Sequence, residues 1–247
     1  MKVLFNFRKI LELGGVLAGV VMVAFGIAAI VLGANGRSTV QSNLKEEYIF
    51  GSPDMTPALI APEVKQIQAE QQKIAAAQVK AGVPAADRFT FTSVSAPSNS
   101  VAGLAVDSGD RARTFAQYMR IHALGGTHGL TYSQMGRFVA KPDAPLKFTD
   151  FNGGTSNEDY ALIDPETKQP VSNGARNLWV TETALTSALN LAYTAEQISI
   201  FGIVVGVALL LSGIGFLILA LGGALRRMPA TRTEKRASVV EPGPTPA

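Results

Sequence analysis

His122 and His128 are the only two histidines in the 247 residues, and five residues separate them. A zinc or non-haem iron centre draws on two or three such ligands together with a carboxylate. An ion bridging them across Gly125-Gly126, with Glu158 or Asp159 as third ligand, would make the chain a metal-dependent enzyme. The spacing favours a simpler arrangement. His122 falls on one helix face with Phe115, Tyr118 and Met119 and should edge a core, while His128 falls in a turn. Asp150, Asn152, Asn157, Glu158 and Asp159 crowd one segment, and hard oxygen donors suit calcium. The twelve-residue calcium-loop pattern fails there, because Thr155 stands in place of its glycine and Ala161 in place of its bidentate glutamate. These acids therefore read as solvated loop residues. With two histidines and no Gly-x-Ser-x-Gly, a hydrolase triad has no support, and no glycine-rich phosphate loop is present. The expectation is a chain with no catalytic residues, no metal and no cofactor.

The residue spacing that carries most information is structural. Gly15, Gly19, Met22, Gly26, Ala29 and Gly33 step by four and three, as do Gly202, Gly206, Leu209, Gly213, Phe216, Ala220 and Gly223. Small residues at this spacing let helix backbones approach closely in lipid, where no hydrophobic force drives helices together. Gly15, Gly19, Gly26, Gly33, Gly202, Gly206, Gly213 and Ala220 are the candidate helix-packing residues. Their stripes leave open whether they meet each other or another chain.

Both stripes lie in segments that match a bilayer. Residues 13–33 and 198–225 contain no charged residue, and about 20 apolar residues suffice to cross hydrocarbon. The leucine, isoleucine, valine and phenylalanine content of residues 198–221 favours insertion by roughly 5–10 kcal/mol, and that of residues 13–33 by roughly 3–7 kcal/mol. The first segment is too long, and Leu32-Gly33-Ala34 too poor a cleavage site, for a removable signal peptide. Lys2, Arg8 and Lys9 precede the first segment, and Arg226, Arg227, Arg232, Lys235 and Arg236 follow the second. This basic bias places both termini in the cytoplasm. The expected organisation is a cytoplasmic N-terminus (1–12), transmembrane helix 1 (13–33), an extracytoplasmic helical domain (34–197), transmembrane helix 2 (198–225) and a disordered basic cytoplasmic tail (226–247). Residues 34–197 hold 14 basic and 16 acidic residues, so the pI near 9.2 comes from the membrane flanks and excludes a nucleic-acid partner. The absence of cysteine and of any Asn-x-Ser/Thr sequon suits a bacterial plasma membrane protein with a disulfide-free outer domain.

Within that domain the first helix should run on to about Phe50, stopped by Gly51-Ser52-Pro53. A second helix should open at Ala61-Pro62-Glu63 and bury Val64, Ile67 and Ile74 beneath a solvated Gln- and Lys-rich face. The alternation of residues 88–94, the turn at Ala96-Pro97-Ser98-Asn99 and the apolar run Val101–Val106 suggest a β-hairpin. Ser108 should cap a helix ending at Gly125-Gly126, and Thr131-Tyr132-Ser133-Gln134 reads as a capping box for a short helix to about Ala140. Residues 141–173 form a long loop with one hairpin turning at Asp164-Pro165. From Gly174 a single helix should continue to residue 225, with Leu178, Leu185, Leu189 and Ala192 on its buried stripe. The fold class is thus membrane, mainly α, with two spans extended as stalks into a mostly helical domain.

Arg176-Asn177-Leu178-Trp179 through Leu189-Asn190-Leu191-Ala192-Tyr193 enters the glycine-rich final span. Arg113-Thr114-Phe115-Ala116-Gln117-Tyr118 is followed by Gly129-Leu130-Thr131-Tyr132. With the two-span layout, these runs resemble an uncharacterised group of membrane proteins from high-GC Gram-positive (actinobacterial) bacteria. Some of its members are labelled aromatic ring-opening dioxygenases, an activity that would imply an iron site, for which only His122 and His128 offer themselves. The leading expectation is a non-enzymatic accessory or scaffold protein of the bilayer that binds a membrane-protein partner or itself. An extracytoplasmic ligand-binding or sensor subunit using the 141–173 loop is the alternative.

Overall fold

The computed structural model describes residues 2–91, 93–145 and 149–222. Four helices dominate: α1 (Lys2–Glu46), α2 (Pro57–Lys80), α3 (Gly109–Gly126) and α4 (Gly174–Leu221). Two short strands, β1 (Phe138–Val139) and β2 (Gly154–Thr155), pair antiparallel. Two of the helices, α1 and α4, are long and apolar enough to cross a membrane, with mean hydropathies of 2.7 and 2.8 in their most apolar windows. Contacts divide the chain into two compact units, Met1–Val31 with Ile203–Ala247, and Leu32–Gly202. The tail expected to be disordered, and the last three residues expected in the second span, lie outside the described residues.

In the first unit the two long helices run antiparallel, since Gly15 meets Ala220 and Gly26 meets Gly206. The second unit has a hydrophobic core in which Ile60 and Ile67 of α2, Phe115, Tyr118 and Leu124 of α3, and Trp179 and Leu189 of α4 are buried. Helix α3 is fastened to α4 by arginines laid on aromatic rings. Arg113 lies 4.6 Å from the Tyr193 centroid and Arg120 lies 4.9 Å from that of Trp179.

Several local expectations need correction. Helix α1 stops at Glu46, and α2 starts at Pro57 rather than beside Pro62. Thr56 caps it by accepting the Leu59 N–H, and Pro57 at the helix start takes the position whose N–H would be unpaired anyway. Pro62 is carried inside the helix. The solvated face of α2 is as expected, with Lys65, Gln66, Gln68, Gln72 and Lys73 exposed, but the buried stripe of Val64, Ile67 and Ile74 also carries two glutamines, Gln71 and Gln78. Gln68 donates to the Val94 carbonyl (2.7 Å), Gln71 donates to the Gly129 carbonyl (3.1 Å), and Gln78 accepts from the Phe89 N–H (3.1 Å).

Those glutamines also explain why, among the described residues, the β-hairpin expected over residues 88–106 is not formed. Side chains of α2 take the backbone groups of Phe89 and Val94, so the first half has no need of a ladder. The second half pairs with the chain after α1, through Val101 N–H to the Met55 carbonyl and Gly51 N–H to the Leu104 carbonyl. The short helix expected after Thr131 is cut to one turn, Tyr132–Gln134. Its capping box is present, but β1 follows at once. The turn at Asp164 exists, with Ile163 bridged to Pro170 and the Asp164 carboxylate accepting the N–H groups of Glu166 and Thr167.

Candidate functional site

The glycines of the first unit face each other. A Cβ built on Gly26 would lie 2.8 Å from the Gly206 carbonyl oxygen and 2.7 Å from the Leu210 nitrogen, and one on Gly206 would lie 2.7 Å from the Gly26 oxygen. Gly19 and Gly213 repeat this reciprocal approach at 2.9 Å and 2.7 Å, and Gly15 brings Ala220 within 3.1 Å. Backbone therefore rests on backbone, close enough for Cα–H to carbonyl contacts to add to dispersion. Gly19, Gly26, Gly206, Gly213 and Ala220 are buried, and the two pairs recur after seven residues on each helix. Gly33 is also buried and Gly202 half-buried; both belong to the second unit.

The large side chains point the other way. Leu13, Leu17 and Phe25 on α1, and Leu211 and Ile218 on α4, are exposed. Small residues inside and large apolar residues outside reverse the pattern of a helix pair in water. The reversal is what hydrocarbon as the surrounding solvent rewards.

In the second unit a carboxylate ties three helices together. Glu196 of α4 is 4% exposed, and it accepts from Arg37 Nε (3.0 Å) and Gln41 Nε2 (2.8 Å) of α1 and from the Gly109 N–H that opens α3. Ser108 occupies the cap position expected of it, yet its side chain makes no capping bond. Glu196 supplies the acceptor instead, and a negative charge also suits that end of the helix dipole. Nothing local in the sequence signals a cap delivered from 87 residues away.

The buried side of α4 keeps Leu189, with Leu185 and Ala192 packed half-buried against the core, but it adds polar residues that were not expected. Leu178 is 46% exposed and Leu185 and Ala192 are half-buried, whereas Trp179, Glu182, Thr186, Leu189 and Glu196 are buried. The core-facing side of this helix is partly polar because it receives the arginines and backbone of α3. Glu182 is the costly member. Among the described residues its Oε1 has no hydrogen-bond partner, and burial raises its pKa, against the opposing pull of Arg120 and of the Thr186 and Thr183 hydroxyls.

The residues weighed for metal binding have other work. Asp150 Oδ1 accepts the N–H groups of Asn152 (2.8 Å) and Gly154 (2.7 Å), and Oδ2 accepts that of Gly136. Both oxygens are spent on backbone, so Asp150 shapes the loop rather than waiting for a cation. Glu158 and Asp159 enter a single turn whose cap is Asn157. His122 sits between two carboxylates, with Nδ1 at 3.0 Å from Glu63 and Nε2 at 3.3 Å from Asp54, and is half-buried. It joins α3 to α2 and to the chain before it. His128 lies in a turn at a φ of 53° and is 3.6 Å from Glu70. Among the described residues, no group of three or more histidines, aspartates or glutamates is arranged to hold a metal ion.

An open cleft of about 780 Å³ lies beside the strand pair, bordered by Phe89, Gln134, Arg137, Asp150, Asn157 and Glu158. Compared with known proteins, the chain matches no family model, no curated protein sequence and no solved structure.

Proposed function

We propose that this chain is a non-enzymatic accessory or scaffold protein of the plasma membrane. Its two spans form a self-contained hairpin, both termini are cytoplasmic, and the helical domain lies outside. The observation that carries this reading is the reciprocal backbone approach at Gly19–Gly213 and Gly26–Gly206, framed by outward-facing leucines and phenylalanines. Such a seam gives a rigid anchor and needs no partner to bury it. A membrane-protein partner or a second copy would then be met through the lipid-facing side chains or the outer domain. The basic residues flanking the apolar segments support the orientation.

Affinity purification of the full chain from its own membranes in mild detergent, with mass spectrometry of the eluate, tests this. A partner in stoichiometric amount is the expected result. A monomer recovered alone, unchanged across several mild detergents, would overturn it. The cleft beside β1 and β2 favours a second reading, an extracytoplasmic ligand-binding or sensor subunit. Its volume lies within the roughly 300–1,000 Å³ of small-molecule sites. A ligand-induced rise in melting temperature that Arg137→Ala removes would support this second reading.

A further inference from the structure

We propose that a cavity of about 410 Å³ between α3 and residues 93–98 binds a small monocarboxylate with an apolar body. The cavity lies wholly within the second unit and is separate from the cleft beside β1 and β2. One wall is a face of α3 on which Gln117, Arg120, Ile121 and Leu124 follow one another at helical spacing. The other is the segment from Ser93 to Ser98, held near its start by Gln68 of α2, which donates to the Val94 carbonyl (2.7 Å).

The chemistry of the two walls selects the ligand. Val94, Pro97, Ile121 and Leu124 are buried and supply an apolar floor. The polar side chains of the lining are Ser93, Ser95, Ser98, Gln117 and Arg120, and every one of them can donate a hydrogen bond. Among the described residues, no aspartate or glutamate lines the cavity. Among them, too, the side chains of the three serines and of Gln117, and the N–H groups of Ser95, Ala96 and Ser98, have no partner within the chain. Unspent donors around one cation, with no carboxylate of their own, match an anionic acceptor. Arg120 is prepared for that role. Its guanidinium lies 4.9 Å from the Trp179 ring centroid, and a planar fork held against a ring suits the two oxygens of a carboxylate. Glu182 of α4 acts on the same guanidinium, so the site carries at most one net positive charge. A second negative charge on the ligand would stand uncompensated, which favours a monoanion over a phosphate monoester.

Trp179 is the only tryptophan in the chain, so its emission reports on what meets Arg120. The full-length protein in phospholipid nanodiscs is titrated at neutral pH with hexanoate, and with hexanamide, hexylamine and hexyl phosphate as comparisons. A saturable change in emission is expected with hexanoate, with affinity about tenfold or more weaker for the amide and the amine, which cannot meet the guanidinium as an anion. No saturable change with hexanoate, or equal affinity for the amide, overturns the proposal. Tighter binding of hexyl phosphate overturns the assignment to a monocarboxylate. Gln117→Glu places an acid among the donors from the exposed face of α3 and should weaken hexanoate binding about tenfold or more. Arg120→Gln should do the same, read by fluorine NMR of terminally trifluorinated hexanoate because this variant alters the surroundings of Trp179. Unchanged binding in variants that melt as the wild type does overturns the site, and if Arg120→Gln melts early, Gln117→Glu decides alone. Binding that survives both changes and is lost in Arg137→Ala would move the ligand to the cleft beside the strands and overturn the site as well.

Discussion

Replacing Gly26 with alanine adds one methyl group at the tightest point of the glycine seam. That methyl would stand 2.7 Å from the Leu210 nitrogen and 2.8 Å from the Gly206 oxygen, both backbone atoms that no rotamer change can move. Reaching ordinary contact at about 3.4 Å requires the helices to part locally by about 0.7 Å. A gap of 0.5–1 Å forfeits about a quarter to a half of each dispersion contact across it. In lipid no hydrophobic term offsets the loss. Overpacking of this kind costs about 1–3 kcal/mol, against a gain of up to about 1 kcal/mol from the better helix propensity of alanine. The expected net loss is about 1–2 kcal/mol, a factor of roughly 5–30 in the equilibrium between closed and open hairpin. Spin labels at the outward-facing Leu17 and Ile218 would report the separation by pulsed electron resonance, and unfolding in mixed micelles would report the stability. Gly14→Ala is the control, since a Cβ there meets nothing within 4 Å. Equal stability and equal distances for the Gly26 and Gly14 variants would refute the close-approach argument.

Glu196→Ala strands the Gly109 N–H and the Gln41 amide, so a loss of about 1–3 kcal/mol is expected in thermal unfolding of the full chain, with α3 the first element to lose hydrogen-exchange protection. Glu182→Gln should stabilise the protein by about 1 kcal/mol at neutral pH, because it removes a buried charge while keeping the shape. The pH dependence follows from the raised pKa of Glu182, a residue four turns ahead of the uncharged span. The fold favours the neutral form, so its penalty is absent below the ordinary value near 4.5 and grows as pH rises through the folded pKa. The advantage of the glutamine variant should therefore shrink in acid, and an advantage constant with pH would count against the assignment. Asp150→Ala releases three backbone N–H groups and should lower the melting temperature, while added calcium should leave the wild-type melting temperature unchanged. A calcium-dependent rise that this variant abolishes would show that its oxygens are free for a cation.

The parts of this fold that were legible in the sequence are those set by one segment acting alone. The apolar lengths around Gly19 and Gly213, the glycine spacing, the capping box at Thr131 and the turn at Asp164 each announce themselves locally. What was not legible depends on a distant residue supplying what a segment lacks. Residues 88–94 alternate like a strand, but Gln78 of α2 takes the Phe89 N–H and Gln68 takes the Val94 carbonyl, and glutamines that share the buried stripe of α2 became hydrogen-bonding arms. Ser108 has the right type and position for a cap, yet a buried carboxylate outcompetes it, since a charged acceptor makes the stronger bond to an N–H.

The same reasoning accounts for α4. Its stripe of Leu185, Leu189 and Ala192 fits the helical period and invites assignment to the core, but a core-facing side is chosen by what lies opposite. Arg113 and Arg120 of α3 lie against Tyr193 and Trp179, and the Gly109 N–H needs an acceptor. Rotating α4 to serve them buries Glu182, Thr186 and Glu196 beside Leu189, keeps Leu185 and Ala192 half-buried against the core, and leaves Leu178 exposed. The polar residues on the buried side of α4 are thus a consequence of what α3 sets opposite it.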